Sequence, residues 1–454
     1  MKRIRSINML EGSLTKNIIL FTIPLILSGV LQLFFNAADI VVVGQFAGDN
    51  ALAAVGATST LINLLVNLFL GLSVGASVVM GRSVGANKRE DATDTLHTSI
   101  AIAFYGGIAL VFIGFLVSKP FLIMLNTPLE VLNLSVLYMS IYFLGAPANM
   151  VYNFGAAILR SIGDTKRPLY FLILAGIVNV VLNLILVIIF NLSVAGVAIA
   201  TIISQYVMAF LIILSLMKSE ENYLRLSLKK VKLHFSKVIE ILKIGIPAGI
   251  QGILFNISNL LIQSSINSFG KIVVAGNTAA VSIEGFIYVM TNSLYQANLT
   301  FTSQNVGAKK YERINSILIR CLCIVFVVGL VGGVGAYLCG NVLLGLYTFD
   351  NEVIQFGMIR LMTVCSMYFL NGFMDTMVGS LRGIGYSTLP MVVTFIGICV
   401  FRVFWVLFIF RLNPSLEILY LSYPLSWILT ASIHFISFIL AKRHFMRKVA
   451  VAYN

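Results

Sequence analysis

Long apolar segments separated by short polar stretches follow one another along the whole chain. Each is about 20 residues or longer with few charges, the length that an α-helix needs to cross the hydrocarbon core of a bilayer. The pattern predicts twelve spans, near residues 17–44, 51–81, 96–118, 129–158, 168–190, 193–217, 240–268, 272–303, 314–340, 352–380, 389–410 and 415–440. The predicted fold class is therefore an all-α polytopic membrane protein.

The same residues recur at a nearly constant offset along the chain. Matching segments lie 222 residues apart in three cases and 223 in one: 84–86 with 306–308, 159–163 with 381–385, Pro168 with Pro390, and Pro24 with Pro247. Such constancy indicates two copies of one long unit, with six predicted spans in each copy.

An even number of spans makes both copies begin on the same side of the membrane, so their pseudo-twofold axis runs along the membrane normal. We expect a first lobe at residues 1–217, a connector at 218–239, a second lobe at 240–440 and a basic tail at 441–454. Two facing six-helix lobes leave a central cleft between them, which is typical of a transporter.

The charge distribution predicts the orientation of the chain. The sequence has 31 lysine and arginine residues against 17 aspartate and glutamate residues, although only 11% of it is charged and its mean hydropathy is +0.97. Most basic residues precede the first span, follow even-numbered spans, or lie in the connector and the tail. The positive-inside rule therefore predicts a multi-pass protein of the plasma (inner) membrane with both termini in the cytoplasm. This topology explains the net charge of +14 without a nucleic-acid partner.

The sequence carries no sign of motor or catalytic chemistry. It contains no phosphate-binding loop motif and no soluble segment long enough for a nucleotide-binding domain. Its five cysteines have no metal or redox spacing, and no nucleophile, base and acid form a set. We expect a monomer that is not an enzyme and binds no nucleotide, with no cofactor except a coupling ion. Its partners would be small organic substrates and membrane lipid.

Ionisable residues inside predicted spans are the candidates for function, because each costs at least about 2.5–3.5 kcal/mol to insert. Four stand out: Asp39, Glu284, Asp375 and Arg402. The repeat counterpart of Asp39 is near Ile262, so symmetry does not require a carboxylate there. Asp375 and Arg402 either form a structural ion pair or serve function. Glu284 either lines the cleft or bonds within its own bundle.

These residues and their surrounding motifs resemble the multidrug and toxic compound extrusion (MATE) family, over essentially all twelve spans. The resemblance rests on Pro24, Asn36-Ala-Ala-Asp39, and the segments 84–90, 159–168, 304–309 and 381–385. It implies cation-coupled export of amphipathic, mostly cationic organic compounds through a V-shaped pair of six-helix lobes. It also implies that the first helix bends at Pro24 during transport.

The resemblance further implies a coupling site in the first lobe. One prokaryotic branch uses an Asp in helix 1, an Asn and an Asp one turn apart in helix 5, and a Thr in helix 6. Asp39, Asn179 and Thr201 match three of these, whereas Asn183 replaces the helix-5 Asp. The coupling ion would be a proton, or sodium held at these four residues.

A second branch of the family places its important acids in the second lobe. Its helix-7 Glu has no counterpart here, and its helix-10 acid falls at Asn371, one turn before Asp375. Coupling through the first lobe is therefore favoured. The alternative function is a flippase for lipid-linked oligosaccharides on the same general fold. A flippase would present a cluster of cleft arginines to pyrophosphate, and the candidates here are Arg402 and Arg360.

Overall fold

The fold is described by a computed structural model of residues 7–125 and 127–453. These residues form long helices and no β-strand. In chain order the spans are α1 Leu14–Phe46, α2 Asp49–Gly85, α3 Arg89–Met124, α4 Leu129–Leu144 with Ala146–Ser161, α5 Lys166–Ile189, α6 Ser193–Met217, α7 Phe235–Asn267, α8 Lys271–Gly307, α9 Arg313–Leu338, α10 Asn351–Gly383, α11 Thr388–Leu412 and α12 Leu416–Val451. Eleven are long and apolar enough to cross a membrane, and the bent α4 brings the count to twelve. The predicted fold class is confirmed.

Several spans depart from regular α-helix. The two parts of α4 are bent by 47° at Gly145, just before Pro147, whose ring disfavours a continuous helix. In α10 a single 3-10 turn at Cys365–Met367 separates two α-helical parts. Helix α5 ends in a π-helical segment, Ile185–Ile189, and α11 contains two such segments, Phe395–Val400 and Trp405–Ile409. Single π turns inside α-helices are frequent at functional sites.

The repeat is visible in the turns as well as in the helices. Gly48 precedes α2 with a φ of 86°, and Gly270 precedes α8 with a φ of 95°. A Cβ atom at either position would meet nothing within 4 Å. The glycine is therefore required by the left-handed backbone conformation and not by lack of space.

The chain divides into two compact units whose boundaries do not follow the repeat at α1 and α7. One unit holds residues 23–249, and the other holds residues 8–22 with residues 250–453. Both divisions fall beside a proline, Pro24 in α1 and Pro247 in α7. In the second unit the first nine residues of α1 include Phe21, whose ring meets that of Phe301 on α8 edge to face at 5.6 Å.

In the first unit, the first half of α7 packs closely against α2 through glycines. They are spaced one turn apart on each helix: Gly71 and Gly75 on α2, Gly245 and Gly249 on α7. A Cβ at Gly71 would lie 2.1 Å from the Gly249 nitrogen, and one at Gly75 would lie 2.2 Å from the Ile241 oxygen. Small residues at this spacing allow two backbones to approach in a membrane. This contact explains why the first half of α7 belongs to the first unit.

Candidate functional site

Three of the four residues predicted for the coupling site meet in the first unit. The Asn183 side-chain nitrogen donates one hydrogen bond to Asp39 Oδ1 and another, of 3.3 Å, to Asn179 Oδ1. The two asparagines lie one turn apart on α5 and are 6% and 0% exposed, whereas Asp39 on α1 is half-buried. We call Asp39, Asn179 and Asn183 the α1–α5 cluster.

A tight contact one turn earlier brings α1 and α5 together. Phe35 precedes Asp39 by four residues, and Gly176 precedes Asn179 by three. A Cβ atom at Gly176 would lie 1.9 Å from the Phe35 ring, so only glycine lets the ring lie flat on α5 here. The aromatic contact therefore fixes the depth at which the α1–α5 cluster forms.

One hydrogen-bond acceptor of the α1–α5 cluster, the side-chain oxygen of Asn183, has no partner. This atom, Asn183 Oδ1, is buried. Leaving a buried acceptor unsatisfied costs about 1–3 kcal/mol, so such atoms call for an explanation. Helix α5 also changes to π geometry at Ile185, two residues after Asn183. Both features are typical of a binding site and unusual in a packed core.

Thr201, the fourth predicted residue, is hydrogen-bonded within its own helix. Its hydroxyl donates to the Val197 carbonyl of its own helix α6, at 2.9 Å. The Thr201 oxygen keeps its acceptor capacity, since that bond uses only its hydrogen. Asn36 is exposed and accepts a 3.2 Å bond from Gln32, outside the α1–α5 cluster.

Pro24 is buried within α1, one residue beyond the boundary between the two units. The proline has no N–H for the carbonyl of Leu20, which weakens the hydrogen-bond ladder of the helix at this turn. The Ser28 hydroxyl donates to the Pro24 carbonyl at 2.8 Å, and α1 remains one helix through this turn.

The second unit holds its polar groups in a different arrangement. Glu284 on α8 pairs with Arg360 on α10: its Oε2 accepts from Nη2 at 2.7 Å and from Nε at 3.0 Å. Arg360 Nη1 also donates to Asn277 Oδ1 at 2.9 Å, and that oxygen accepts from the Tyr420 hydroxyl at 3.1 Å. Arg360 is only 3% exposed. Glu284 is therefore held by a fixed guanidinium.

Arg402 does not pair with Asp375. Its Nη1 donates to Asn259 Oδ1 at 2.9 Å, and its Nε donates to the Ser426 hydroxyl at 3.2 Å. Its guanidinium lies 4.2 Å from the centre of the Tyr423 ring. Among the residues that the structure describes, no carboxylate lies within 4.0 Å of Arg402, which is 1% exposed. The ion pair considered from the sequence is not formed.

Asp375 and Asn371 lie together on α10, and Asn371 is buried. Within the described ranges, no side chain forms a hydrogen bond or an ion pair with the half-buried Asp375. Sequence reasoning missed the Glu284–Arg360 pair and the role of Asn277. The available signal was a pair of opposite charges within two predicted spans of the same lobe.

The α1–α5 cluster suits a proton or a monovalent hard cation. It offers one carboxylate with amide oxygens, and oxygen is the ligand that hard cations prefer. Across residues 7–125 and 127–453, no group of three or more His, Cys, Asp or Glu side chains has the geometry of a metal site.

Known proteins are similar to this chain in sequence or in fold over most of their length. The sequence profile of the MatE family matches the chain twice, over residues 24–185 and 247–408. The chain is 26% identical to the probable multidrug resistance protein YoeA of Bacillus subtilis, over 86% of this chain and 85% of that protein. It is 25% identical to the multidrug export protein MepA of Staphylococcus aureus, over 80% of each. A crystal structure of MATE in complex with MaL6 has a TM-score of 0.91 at 22% identity, covering 98% of this chain and 99% of that chain.

The duplicated helical fold and its intramembrane polar clusters define a polytopic membrane transporter. The two profile matches cover well over half of the sequence, and the chain therefore belongs to the MatE family of multidrug and toxic compound extrusion transporters. Members of this family are transporters and not enzymes. The buried polar groups described above are accordingly candidates for binding and coupling.

Proposed function

We propose that the protein is a secondary active antiporter that exports amphipathic, mostly cationic organic compounds in exchange for protons or sodium ions. The observation that carries this proposal is the α1–α5 cluster, in which one carboxyl group inside a lobe meets amide groups and an unpartnered amide oxygen. The names of the relatives, a multidrug resistance protein and a multidrug export protein, support the export of varied compounds.

The α1–α5 cluster supplies two ways to receive a cation. Without the ion, the Asn183 amide hydrogens bridge Asp39 and Asn179. A proton on Asp39 would instead donate to the free Asn183 Oδ1. Sodium would take oxygens from Asp39, Asn179 and Asn183, with the Thr201 hydroxyl as a fourth ligand. In both cases the Asn183 side-chain amide would turn so that its oxygen, and no longer its nitrogen, faces Asp39.

Loading the α1–α5 cluster would then change α1. Asp39 lies on the part of α1 that belongs to the first unit, whereas residues 14–22 belong to the second. The missing hydrogen bond at Pro24 makes this junction the easiest place to bend the helix. A difference of a few kcal/mol in cation affinity between two conformations is enough to exchange their populations.

We further propose that the protein lies in the plasma membrane with both termini in the cytoplasm. An even number of spans, twelve when the bent α4 is counted as one, would put both termini on the same side and supports this topology. Lysine and arginine residues cluster at the helix ends that would share this side, among them Lys88 and Arg89 at the start of α3, and Lys309 and Lys310 before α9. This distribution follows the positive-inside rule.

The flippase alternative is less well supported. The three arginines buried in the second unit are all engaged by neighbouring side chains: Arg360 by Glu284, Arg382 by Tyr295 and Gln251, and Arg402 by Asn259 and Ser426. Arginines held in this way are not arrayed for a pyrophosphate group. Export of small organic compounds therefore remains the better-supported function.

The test is export by Asp39→Asn in proteoliposomes, driven separately by a pH step and by a sodium step. We expect a loss of cation-driven export of at least about tenfold, because the amide cannot take up a proton or supply a charge to sodium. Equal yield and elution volume on size exclusion would establish that the variant is folded.

Asp375→Asn is the matched control, since it removes a second intramembrane carboxyl group, one that forms no hydrogen bond to an amide within residues 7–125 and 127–453. It should keep cation-driven export. Full export by Asp39→Asn would remove Asp39 from the coupling role, and loss of coupling in Asp375→Asn would move the site to the second unit.

A further inference from the structure

The repeat places an arginine where the first unit has a cluster asparagine. Pro168 in α5 and Pro390 in α11 are 222 residues apart. Helix α11 then contains the π segment Phe395–Val400, which has no counterpart at that point in α5. A π turn accommodates one extra residue, so the offset beyond it becomes 223. The profile matches have an offset of 223 at both ends, since they begin at residues 24 and 247 and end at residues 185 and 408. Asn179 therefore corresponds to Arg402.

The surroundings of Arg402 repeat the helix pairing of the α1–α5 cluster. In the first unit, α1 contributes Asp39 and α5 contributes the asparagine oxygens. In the second unit the equivalent helices α7 and α11 meet through Asn259 Oδ1 and the Arg402 guanidinium. The position of Asp39 is occupied by Ile262, which is fully buried. The first unit thus offers oxygens to a cation, whereas the second already contains one.

Within the described ranges, this second cation forms no ion pair with a carboxylate within 4.0 Å. The centre of the Tyr423 ring lies 5.0 Å from the Arg360 guanidinium and 4.2 Å from the Arg402 guanidinium. Glu284 makes both its close hydrogen bonds to Arg360. Arg402 is stabilised by neutral oxygens and the ring face, and a guanidinium keeps its proton in proteins.

We infer that Arg402 is a tethered cation, occupying in the second unit the place that the exchangeable ion takes in the first. The second unit then always contains a positive charge, that of Arg402. The transporter exchanges ions only at the α1–α5 cluster, although its fold is duplicated. This inference rests on the proposed cation coupling at the α1–α5 cluster.

The test is the dependence of export on the concentration of the driving cation. Wild type should give a hyperbolic curve, because one site exchanges. Arg402→Lys keeps the charge and should retain that shape. Arg402→Met loses the charge while keeping much of the apolar bulk, and its export should fall by about tenfold or more. Arg411→Met, at the exposed end of the same helix, is the matched control and should resemble wild type.

The decisive variant is Arg402→Asn, which installs the residue of the first unit. Its export should recover at high cation concentration with a sigmoidal dependence, because a second ion must now bind. A merely structural arginine would change the amplitude and leave the curve hyperbolic. The inference is overturned if Arg402→Asn or Arg402→Met exports with the wild-type cation dependence.

Two further measurements distinguish a failure of this inference from misfolding of the variant and from a failure of the proposed coupling at Asp39. If Arg402→Asn does not elute as a folded protein, the comparison of Arg402→Lys with Arg402→Met decides, since both fill the site. If Asp39→Asn keeps full coupling, the proposed function fails and the inference on Arg402 fails with it. If Asp39→Asn loses coupling while Arg402→Met keeps the wild-type cation dependence, only the inference on Arg402 fails.

Discussion

Replacing Glu284 by glutamine tests whether its carboxylate stabilises the fold or takes part in transport. The Arg360 guanidinium donates to Glu284 at 2.7 and 3.0 Å, and its Nη1 binds Asn277 at 2.9 Å. Glutamine keeps one acceptor for Arg360 and removes the opposite charge. At an effective dielectric constant of 20, two unit charges 4 Å apart attract by about 4 kcal/mol. Removing one partner of a buried pair costs about 3–5 kcal/mol, in agreement with that value.

We therefore expect Glu284→Gln to destabilise the second unit by about 4 kcal/mol, which lowers the melting temperature by roughly 10 °C. The assay is thermal unfolding of the purified protein in detergent, together with export in proteoliposomes. Glu284→Gln/Arg360→Met should recover most of the loss, because the uncompensated charge is gone and Asn277 Oδ1 keeps its bond from Tyr420. Glu417→Gln, exposed at the start of α12, should stay near wild type.

Either of two results would refute this reasoning. If Glu284→Gln melts like wild type and yet exports nothing, the carboxylate is not a structural partner of Arg360 and belongs to the transport cycle. If the double variant is as unstable as Glu284→Gln, the loss does not come from the charge left on Arg360.

Two further predictions concern the first unit. Gly71→Ala should reduce the yield of folded protein, because its Cβ would lie 2.1 Å from the Gly249 nitrogen. Gly56→Ala on the same helix is the control and should fold normally, since its Cβ would meet nothing within 4 Å. Equal yields of the two variants would contradict the packing argument. Asn183→Asp supplies a second carboxylate to the α1–α5 cluster and should lower the sodium concentration for half-maximal export by about tenfold, the effect of 1.4 kcal/mol, unless the site binds only protons.

The sequence was sufficient for elements that depend on local pattern. Span number and type follow from apolar length, which a bilayer imposes on each helix separately. The cluster of Asp39 with Asn179 and Asn183 was expected because one helical turn separates the two asparagines and the family resemblance supplied the pairing of α1 with α5. The unpartnered Asn183 oxygen had no signal in the sequence, since it depends on which way an amide points.

The second unit was harder to predict because its helices are irregular. Arg360 lies before the 3-10 turn of α10 and Asp375 lies after it, so the two residues do not keep the facing that a continuous helix would give them. Arg402 is flanked by two π segments, which rotate it relative to the rest of α11. Spacing along a regular helix therefore suggested Asp375 as the partner of Arg402, and the actual ion pair joins Glu284 to Arg360.

The boundaries of the compact units also lay beyond sequence reasoning. A repeat of constant offset suggests that each copy folds as one unit. Instead, Phe21 packs on Phe301, and Gly245 and Gly249 pack on α2, so residues 14–22 of α1 and residues 235–249 of α7 belong to the unit of the other copy. Such contacts are tertiary and have no periodic signal. In both helices the boundary between the units falls near a proline, Pro24 in α1 and Pro247 in α7. The sequence positions of these prolines alone did not indicate that they mark a boundary.

The three intramembrane carboxyl groups differ in what each would gain from a cation. Glu284 already has a guanidinium at 2.7 Å, so an added cation would have to displace Arg360. Among the residues that the structure describes, no oxygen-bearing side chain is hydrogen-bonded to Asp375 to share an ion with it. Asp39 has a neutral partner, Asn183, whose oxygen is buried and unbonded, so a cation would satisfy both groups at once. Binding is favoured where a charge and an unmet acceptor converge, and that reasoning selects Asp39 independently of any resemblance.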